Sequence, residues 1–186
     1  MEQSLYVLDS RGPTYSSNMI GGATFSEDGT YRYVLSRDWE ANGKLIVWIM
    51  LNPSIGDDSI LERTTAGCLK RSQAWGFGAM IVLNLFAYIS TDPKELKIVE
   101  DPIGKFNNGF IQVIGRNSPE DALFIAAWGN HGKHLNRDKE VAELLGTRDL
   151  YCLGINKDGS PRHPLHMSHS IHPELWCGAG DYLLWS

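Results

Sequence analysis

Four apolar runs recur along the chain and predict the strands of a buried sheet. They occupy residues 44–51, 80–86, 122–128 and 150–154. Nearly continuous apolar runs of this length are typical of strands covered on both faces, as in parallel sheets. Three intervening segments indicate helices, and they span residues 64–75, 102–113 and 136–145. Buried strands that alternate with helices predict a three-layer α/β fold with a central, mostly parallel four-stranded sheet.

The region before the first apolar run has a different pattern. Turn signals occur at Gly21-Gly22 and Asp28-Gly29, and residues 31–35 alternate like a strand. We interpret this region as a β-rich N-terminal elaboration. No linker or low-complexity segment interrupts the chain, so residues 1–186 are predicted to form a single domain.

Composition narrows the class of protein. Apolar residues make up 42% and charged residues 21% of the chain, which is ordinary for a globular domain with its own core. No apolar stretch of about 18 residues and no signal-peptide pattern occur, so a cytoplasmic protein without membrane attachment is expected. The formal net charge of −5 argues against charge-driven coating of nucleic acid. A local basic face is still compatible with it, and Lys70 and Arg71 are among the candidates.

Cysteine and histidine spacing argues against a metal site. The three cysteines are scattered along the chain, so they are expected to be reduced, and they are too few for a four-cysteine iron–sulfur cluster. Histidines recur at every third position from His163 to His172, but prolines interrupt any helix that would align them as ligands. We therefore expect no metal, no organic cofactor and no obligatory protein partner.

Polar side chains follow the apolar runs at the points where the predicted strands end. Ligands bind at the carboxyl ends of parallel strands, so these residues are candidates for a site. They are Asn52, Ser54, Asn84, Trp128, Asn130 and His163. An asparagine amide both donates and accepts hydrogen bonds, which suits the edge of a planar heterocycle. The structural alternatives are a strand-ending turn at residues 52–54 and a core hydrogen bond for Asn84. Trp128 and Phe86 are also typical of a core.

Several of these segments resemble motifs of the uracil-DNA glycosylase superfamily. Leu51-Asn52-Pro53-Ser54 is similar to the first motif, in the form that carries Asn before the proline. Residues 82–84 resemble the strand whose Asn reads the flipped base. Residues 124–133 resemble the strand-to-helix unit that ends in Trp-Gly, and residues 162–168 resemble the final motif. Over roughly residues 25 to 168 the chain is more closely similar to a bacterial and phage family, domain of unknown function 1643.

The resemblance to glycosylases implies hydrolysis of the N-glycosidic bond of a base that has swung out of DNA, which leaves an abasic site. In that comparison His163 stabilises the departing base, Asn84 recognises the edge of the base, and Asn52 positions a water molecule. Asp57 or Asp58 would then act as the base or stabilise the cationic sugar. The implied fold is that of a uracil-DNA glycosylase.

The residue types at other positions of these motifs extend the expected site. Ser54 stands where the uracil enzymes carry a bulky tyrosine, so the implied pocket has room beside C5 of a pyrimidine. This predicts a damaged or modified base as the substrate, including the bulky bases of phage DNA. The expected base contacts are Phe86, Arg32, Arg37, Trp128 and Asn130, and the expected DNA contacts are Lys133, Arg137, Arg162, His166 and the wedge Leu165.

Two other functions are compatible with the same residues. The first is a non-catalytic protein that binds a nucleotide or a modified base in this pocket, which the acidic net charge would suit. The second is a hydrolase that acts on free nucleosides or nucleotides. Alkaline cleavage of DNA at abasic sites after incubation with the protein would indicate a glycosylase. A binding protein would show only a rise in thermal stability with its ligand.

Overall fold

The computed structural model describes residues 19–53, 59–146, 148–178 and 181, with the backbone alone for residues 59–63 and 166. Within these ranges the chain forms one seven-stranded sheet and three α-helices. The strands are β1 (Ile20–Phe25), β2 (Arg32–Asp38), β3 (Leu45–Met50), β4 (Ala79–Asn84), β5 (Leu123–Ala126), β6 (Leu150–Cys152) and β7 (Glu174–Cys177). The helices are α1 (Ser59–Ala74), α2 (Asn107–Asn117) and α3 (Arg137–Leu145), and short 3₁₀ helices span Pro93–Lys97, Asn130–Asn136 and Pro164–His166.

The sheet is mixed, and its strands lie in the order β1-β2-β4-β3-β5-β6-β7. The strands predicted from the four apolar runs are neighbours and run parallel to one another. Strands β1, β2 and β7 extend this group with antiparallel pairing on both sides. The prediction of a four-stranded sheet is therefore wrong. The N-terminal region is β-rich, as predicted, and its two strands β1 and β2 belong to the same sheet.

Helices cover both faces of the sheet. The central strand β3 is enclosed on both sides, and Ile46, Val47, Trp48 and Ile49 are each 0% exposed. Val47 and Ile49 share one apolar cluster with residues of α2 and α3. Ile46 and Trp48 share the other cluster with residues of α1. Because successive side chains of a strand point to opposite faces, this two-sided burial accounts for the unbroken apolar pattern of the run.

Two glycines bring the amino ends of β3 and β4 into direct contact. A Cβ on Gly43 would lie 2.4 Å from the Cα of Gly78, so only a residue without a side chain allows this approach. The backbone N–H of Gly78 also donates to Lys44 O at 2.9 Å. The parallel pair therefore starts in a fixed register, and Met50 stands opposite Asn84 at the other end.

Two classes of feature are absent from the part of the chain that the structure describes. No helix there is long and apolar enough to cross a membrane. No group of three or more His, Cys, Asp or Glu side chains is placed so that it could hold a metal ion.

Candidate functional site

A cavity of about 620 Å³ opens at the carboxyl ends of the parallel strands. This volume lies in the range of small-molecule sites, which is roughly 300–1,000 Å³. Polar side chains from five separate segments line the cavity: Arg32, Asn52, Asn84, Asn130, Arg162 and His163. The structure therefore brings together the residues that follow the ends of β3, β4 and β5 with those of the loop after β6.

Asn84 is the last residue of β4 and contributes an amide to the cavity wall. The residue is only 2% exposed. Its backbone oxygen accepts a hydrogen bond from Asn107 Nδ2 at 3.0 Å, but its side-chain amide has no hydrogen-bond partner among the described residues. The residue lines the cavity, where a ligand with matching donors and acceptors can bond to this amide. The Asn84 amide is therefore available to read the edge of a planar ring.

Asn52 follows the end of β3, and its amide is oriented by two backbone oxygens. Its Nδ2 donates to Pro53 O at 2.9 Å and to Ser90 O at 2.8 Å. Both amide hydrogens are therefore used, and Oδ1 is the atom that is left to accept a hydrogen bond from a ligand or a water molecule. An amide oxygen can orient water, but it cannot take up a proton at neutral pH.

His163 lies at the start of the 3₁₀ helix Pro164–His166 and is half-buried against the cavity. Its Nδ1 accepts a hydrogen bond from the backbone N–H of Leu165 at 3.3 Å. A neutral imidazole that accepts at Nδ1 carries its proton on Nε2, so Nε2 is a donor. The ring therefore suits a partner that gathers negative charge.

Arg71 of α1 anchors the loop that carries His163. Its side chain is 2% exposed, and its guanidinium donates to Met167 O at 2.5 Å, Ser168 O at 2.9 Å and Pro164 O at 3.3 Å. Burial lowers the pKa of Arg71 below its usual value. The residue was expected on a basic surface, but its charge is directed at backbone oxygens. It fixes the position of the loop on one side of the cavity.

Two arginines give the cavity a positive wall. Arg32 is partly buried, its Nε has no hydrogen-bond partner, and burial, with a further effect of Arg37, lowers its pKa to about 10. Arg162 is exposed, and its Nε donates to Ile155 O at 3.2 Å. No carboxylate lines the cavity within the described ranges. This wall therefore favours a ligand with negative charge.

Trp128 closes the floor of the cavity and is held in place by its neighbours. It is 1% exposed and packs edge-on against Trp176, with 5.2 Å between the ring centroids. A Cβ on Gly132 would lie 2.0 Å from Trp128 Cδ1, so the indole occupies the space of the missing side chain. Trp128 therefore belongs both to the core and to the cavity wall.

A comparison with protein families gives a match over residues 32–165 to the family described as Protein of unknown function (DUF1643). The match covers more than half of the 186 residues. The chain belongs to this family. Every residue that lines the cavity lies inside the matched DUF1643 region except Met167, which is two residues beyond it. No curated protein and no solved structure matches the chain.

Two of the predicted contacts in the DUF1643 region are buried away from the cavity. Phe86 is 0% exposed in the core and lies 5.7 Å from the ring of His134. Arg137 is also 0% exposed, and it donates to Leu85 O at 2.6 Å and pairs with Glu140 at 2.8 Å. A base cannot reach the first side chain and a DNA phosphate cannot reach the second, so these two predicted contacts are wrong.

Three other residues that were predicted to contact the base or DNA lie at different places relative to the cavity. Arg37 is not part of the cavity wall, and its Nη1 donates to Ser36 O at 2.6 Å. Lys133 is exposed outside the wall and donates to the backbone oxygen of Asp158. Leu165 is half-buried and lines the cavity beside His163.

Some predicted residues cannot be placed. Ser54, Asp57 and Asp58 lie outside the described residues, as does the side chain of His166. The roles that the sequence suggests for these four residues stay predictions.

Five further polar residues of the wall were missed by the sequence interpretation. They are Thr64, Thr65, Ser90, Thr91 and Asn156. Ser90 is 2% exposed and donates to Glu95 Oε2 at 2.6 Å, and its backbone oxygen holds Asn52. The signal for this turn was present, because residues 90–93 read Ser-Thr-Asp-Pro and such residues start turns and short helices. No comparable signal marks the threonines inside α1.

Proposed function

We propose that this DUF1643 protein is an N-glycosyl hydrolase that acts on a damaged or modified pyrimidine swung out of DNA. The observation that supports the proposal is the convergence of Asn52, Asn84 and His163 on one cavity, although the three residues are far apart in the sequence. Each offers the type of polar atom that base recognition and base departure require.

In the proposed reaction the bond between the sugar C1′ and the base nitrogen breaks, and its electron pair moves onto the base. His163 Nε2–H donates to the base as this charge develops, an effect commonly worth about 3–4 kcal/mol. The Asn84 amide holds the edge of the base so that it faces His163. In the proposed reaction the bond to the base breaks first and leaves positive charge on the sugar. A water molecule then attacks C1′ of the sugar.

Asn52 would hold that water through Oδ1, because its two amide hydrogens are already bonded to Pro53 and Ser90. The water loses a proton when it adds to the sugar, and an amide cannot accept that proton. Asp57 or Asp58 is the proposed acceptor.

The proposed DNA contacts surround the cavity. Arg162 is exposed at the wall and suits a phosphate, and Leu165 lies beside His163 where an apolar wedge could replace the flipped base. The formal net charge of −5 restricts any such contact to a local surface.

The test is alkaline cleavage of labelled duplexes that each carry one damaged or modified pyrimidine, after incubation with the protein. We expect scission with at least one base, and a loss of about 100-fold or more in rate for His163→Ala. His169→Ala is the matched control, since His169 is exposed and outside the cavity wall. No scission with any base, or equal scission by His163→Ala, would contradict the proposal.

A second candidate function is binding or hydrolysis of free nucleotides. The positive wall formed by Arg32 and Arg162, without a carboxylate among the described lining residues, favours this alternative. It predicts an increase in Tm with free nucleotides and no scission of DNA. Release of free base or of phosphate from a nucleotide would separate a hydrolase from a binding protein.

A further inference from the structure

Arg32 is a positive charge inside the cavity with no opposite charge beside it in the described part of the chain. Its Nε is buried and makes no hydrogen bond. The charged neighbour that affects it is Arg37, which has the same sign. Two other arginines, both buried, bind acceptors through part of the guanidinium. Arg71 donates to three backbone oxygens, and Arg137 donates to Leu85 O and pairs with Glu140, although Arg71 Nε and Arg137 Nη2 also make no hydrogen bond. Arg32 differs in that its guanidinium lines the cavity and no acceptor within the described residues binds any part of it.

The guanidinium of Arg32 is partly removed from water, and no described residue replaces the lost hydrogen bonds. An opposite charge in the cavity would therefore be favourable there, because partial burial strengthens the attraction between charges. Burial and Arg37 lower the pKa of Arg32 to about 10, so the guanidinium still carries its charge at neutral pH. Its flat fork of donors matches the two oxygens of a phosphate or a carboxylate.

The position of Arg32 relative to Asn84 limits what the ligand can be. Strand β2 pairs with β4, and the backbone N–H of Arg32 donates to Ala87 O at 2.9 Å, three residues beyond Asn84. Both side chains line the same cavity of about 620 Å³. A ligand whose ring meets Asn84 can therefore place a second group against Arg32 within the same cavity.

We infer that the ligand of this cavity carries an acidic group next to the ring, a phosphate monoester or a carboxylate, and that Arg32 pairs with it. This inference rests on the proposed function in one respect: it assumes that the substrate binds in the same cavity. The acidic group has two possible sources. It is either the phosphate of a nucleotide or an acidic substituent on a modified pyrimidine.

Calorimetric titration of the full chain with three probes tests the inference. The probes are uridine, uridine 5′-monophosphate and 5-carboxyuridine. We expect at least one acidic probe to bind about tenfold or more tightly than uridine, since charge-assisted bonds are the stronger ones. The tighter of the two acidic probes identifies the source of the acidic group.

Variants assign the effect to Arg32. Arg32→Met should remove the preference for the acidic probe, and Arg32→Lys should restore part of it. Arg116→Met is the matched control, because Arg116 is exposed on α2 and outside the cavity wall, and this variant should keep the full preference. Competition by inorganic phosphate in the unmodified protein gives a measurement that depends on no variant.

Three results would overturn the inference: uridine bound as tightly as both acidic probes, a preference that survives Arg32→Met, or no binding of either acidic probe at millimolar concentration. Scission of DNA at a neutral base, unchanged in Arg32→Met, would remove the inference and leave the proposed function intact. Binding of an acidic probe without scission of any duplex would remove the proposed function and support the inference.

Discussion

Asn84 and Asn107 are both buried, but only Asn84 lines the cavity, and their amide nitrogens differ in whether the protein uses them. Asn107 Oδ1 makes no hydrogen bond within the described residues, so the contrast concerns its Nδ2. Asn107 is 0% exposed, and its Nδ2 donates to the backbone oxygens of Asn84 and Leu85 at 3.0 Å each. The Asn84 amide has no such partner in the described part of the protein. The Asn107 amide thus stabilises the chain where β4 ends, and Asn84 contributes to the cavity wall.

This difference predicts unequal effects of the same substitution. Asn84→Leu should change the free energy of unfolding by less than about 1 kcal/mol, because the Asn84 side chain lines the cavity and bonds to no described residue. Asn107→Leu should lower it by about 1–3 kcal/mol, because two carbonyls lose their donor. Urea unfolding measures both changes. Equal destabilisation by the two variants would show that the Asn84 amide has a partner in the protein.

The arginines show what the sequence could not reveal at the level of single residues. Arg71 and Arg137 were interpreted as surface charges, but each is buried against backbone oxygens. The oxygens that bind Arg71 belong to residues 164–168, which are distant from Arg71 in the sequence. Only the tertiary structure brings them close to its guanidinium. Charge and local pattern carry no information on such distant acceptors. Strand-end residues such as Asn84 could be predicted, because the carboxyl ends of parallel strands share one edge of the sheet.

The contact between α1 and the loop after β6 connects two distant elements through one side chain. Arg71→Met removes the charged donor from three carbonyls while keeping an apolar stem of similar length. We expect the free energy of unfolding to fall by about 2–4 kcal/mol. Amide hydrogens of residues 164–171 should exchange faster, since the loop loses its anchor.

Urea unfolding and hydrogen exchange measured by mass spectrometry test this expectation. Lys70→Met is the matched control, because Lys70 is the exposed neighbour of Arg71 on the same helix. If both variants exchange alike in residues 164–171, Arg71 does not anchor the loop.

The helices and strands differ in how well the sequence predicts them. The four central strands could be predicted because both of their faces are buried. Strand β7 was missed, since it has four residues and only Cys177 is buried. Helix α2 begins at Asn107 and not at residue 102, because Gly104 has a φ of 83° that no helix allows. The tight contact of Gly104 with the ring of Tyr31 is a tertiary effect that local pattern does not show.

The cysteines report on the whole molecule, because all three are buried thiols. Burial raises the pKa of Cys68 to about 12 and also raises the pKa of Cys152. Few of these thiols are therefore in the reactive thiolate form near neutral pH, and a thiol reagent in solution cannot reach the buried sulfur atoms. We expect the folded protein to resist 5,5′-dithiobis(2-nitrobenzoic acid) and to release three equivalents of product per chain in guanidinium chloride.

A thiol at the surface provides the control for this measurement. Ser170 is exposed, so Ser170→Cys should react at once with one equivalent in the folded state. Rapid reaction of the unsubstituted protein under native conditions would mean that the core opens far more readily than its packing indicates.

The arrangement of parallel strands inside antiparallel ones decides where a neighbouring molecule could add to the sheet. Among the described strands, β1 and β7 are outermost, and the unpaired N–H and C=O groups of an edge are what an added strand would bond. Strand β2 separates β1 from β4, and β6 separates β7 from β5. Arg32 of β2 lines the cavity, but no residue of β1 or β7 does. A strand added at either of these two edges would therefore pair with a strand that contributes nothing to the cavity wall.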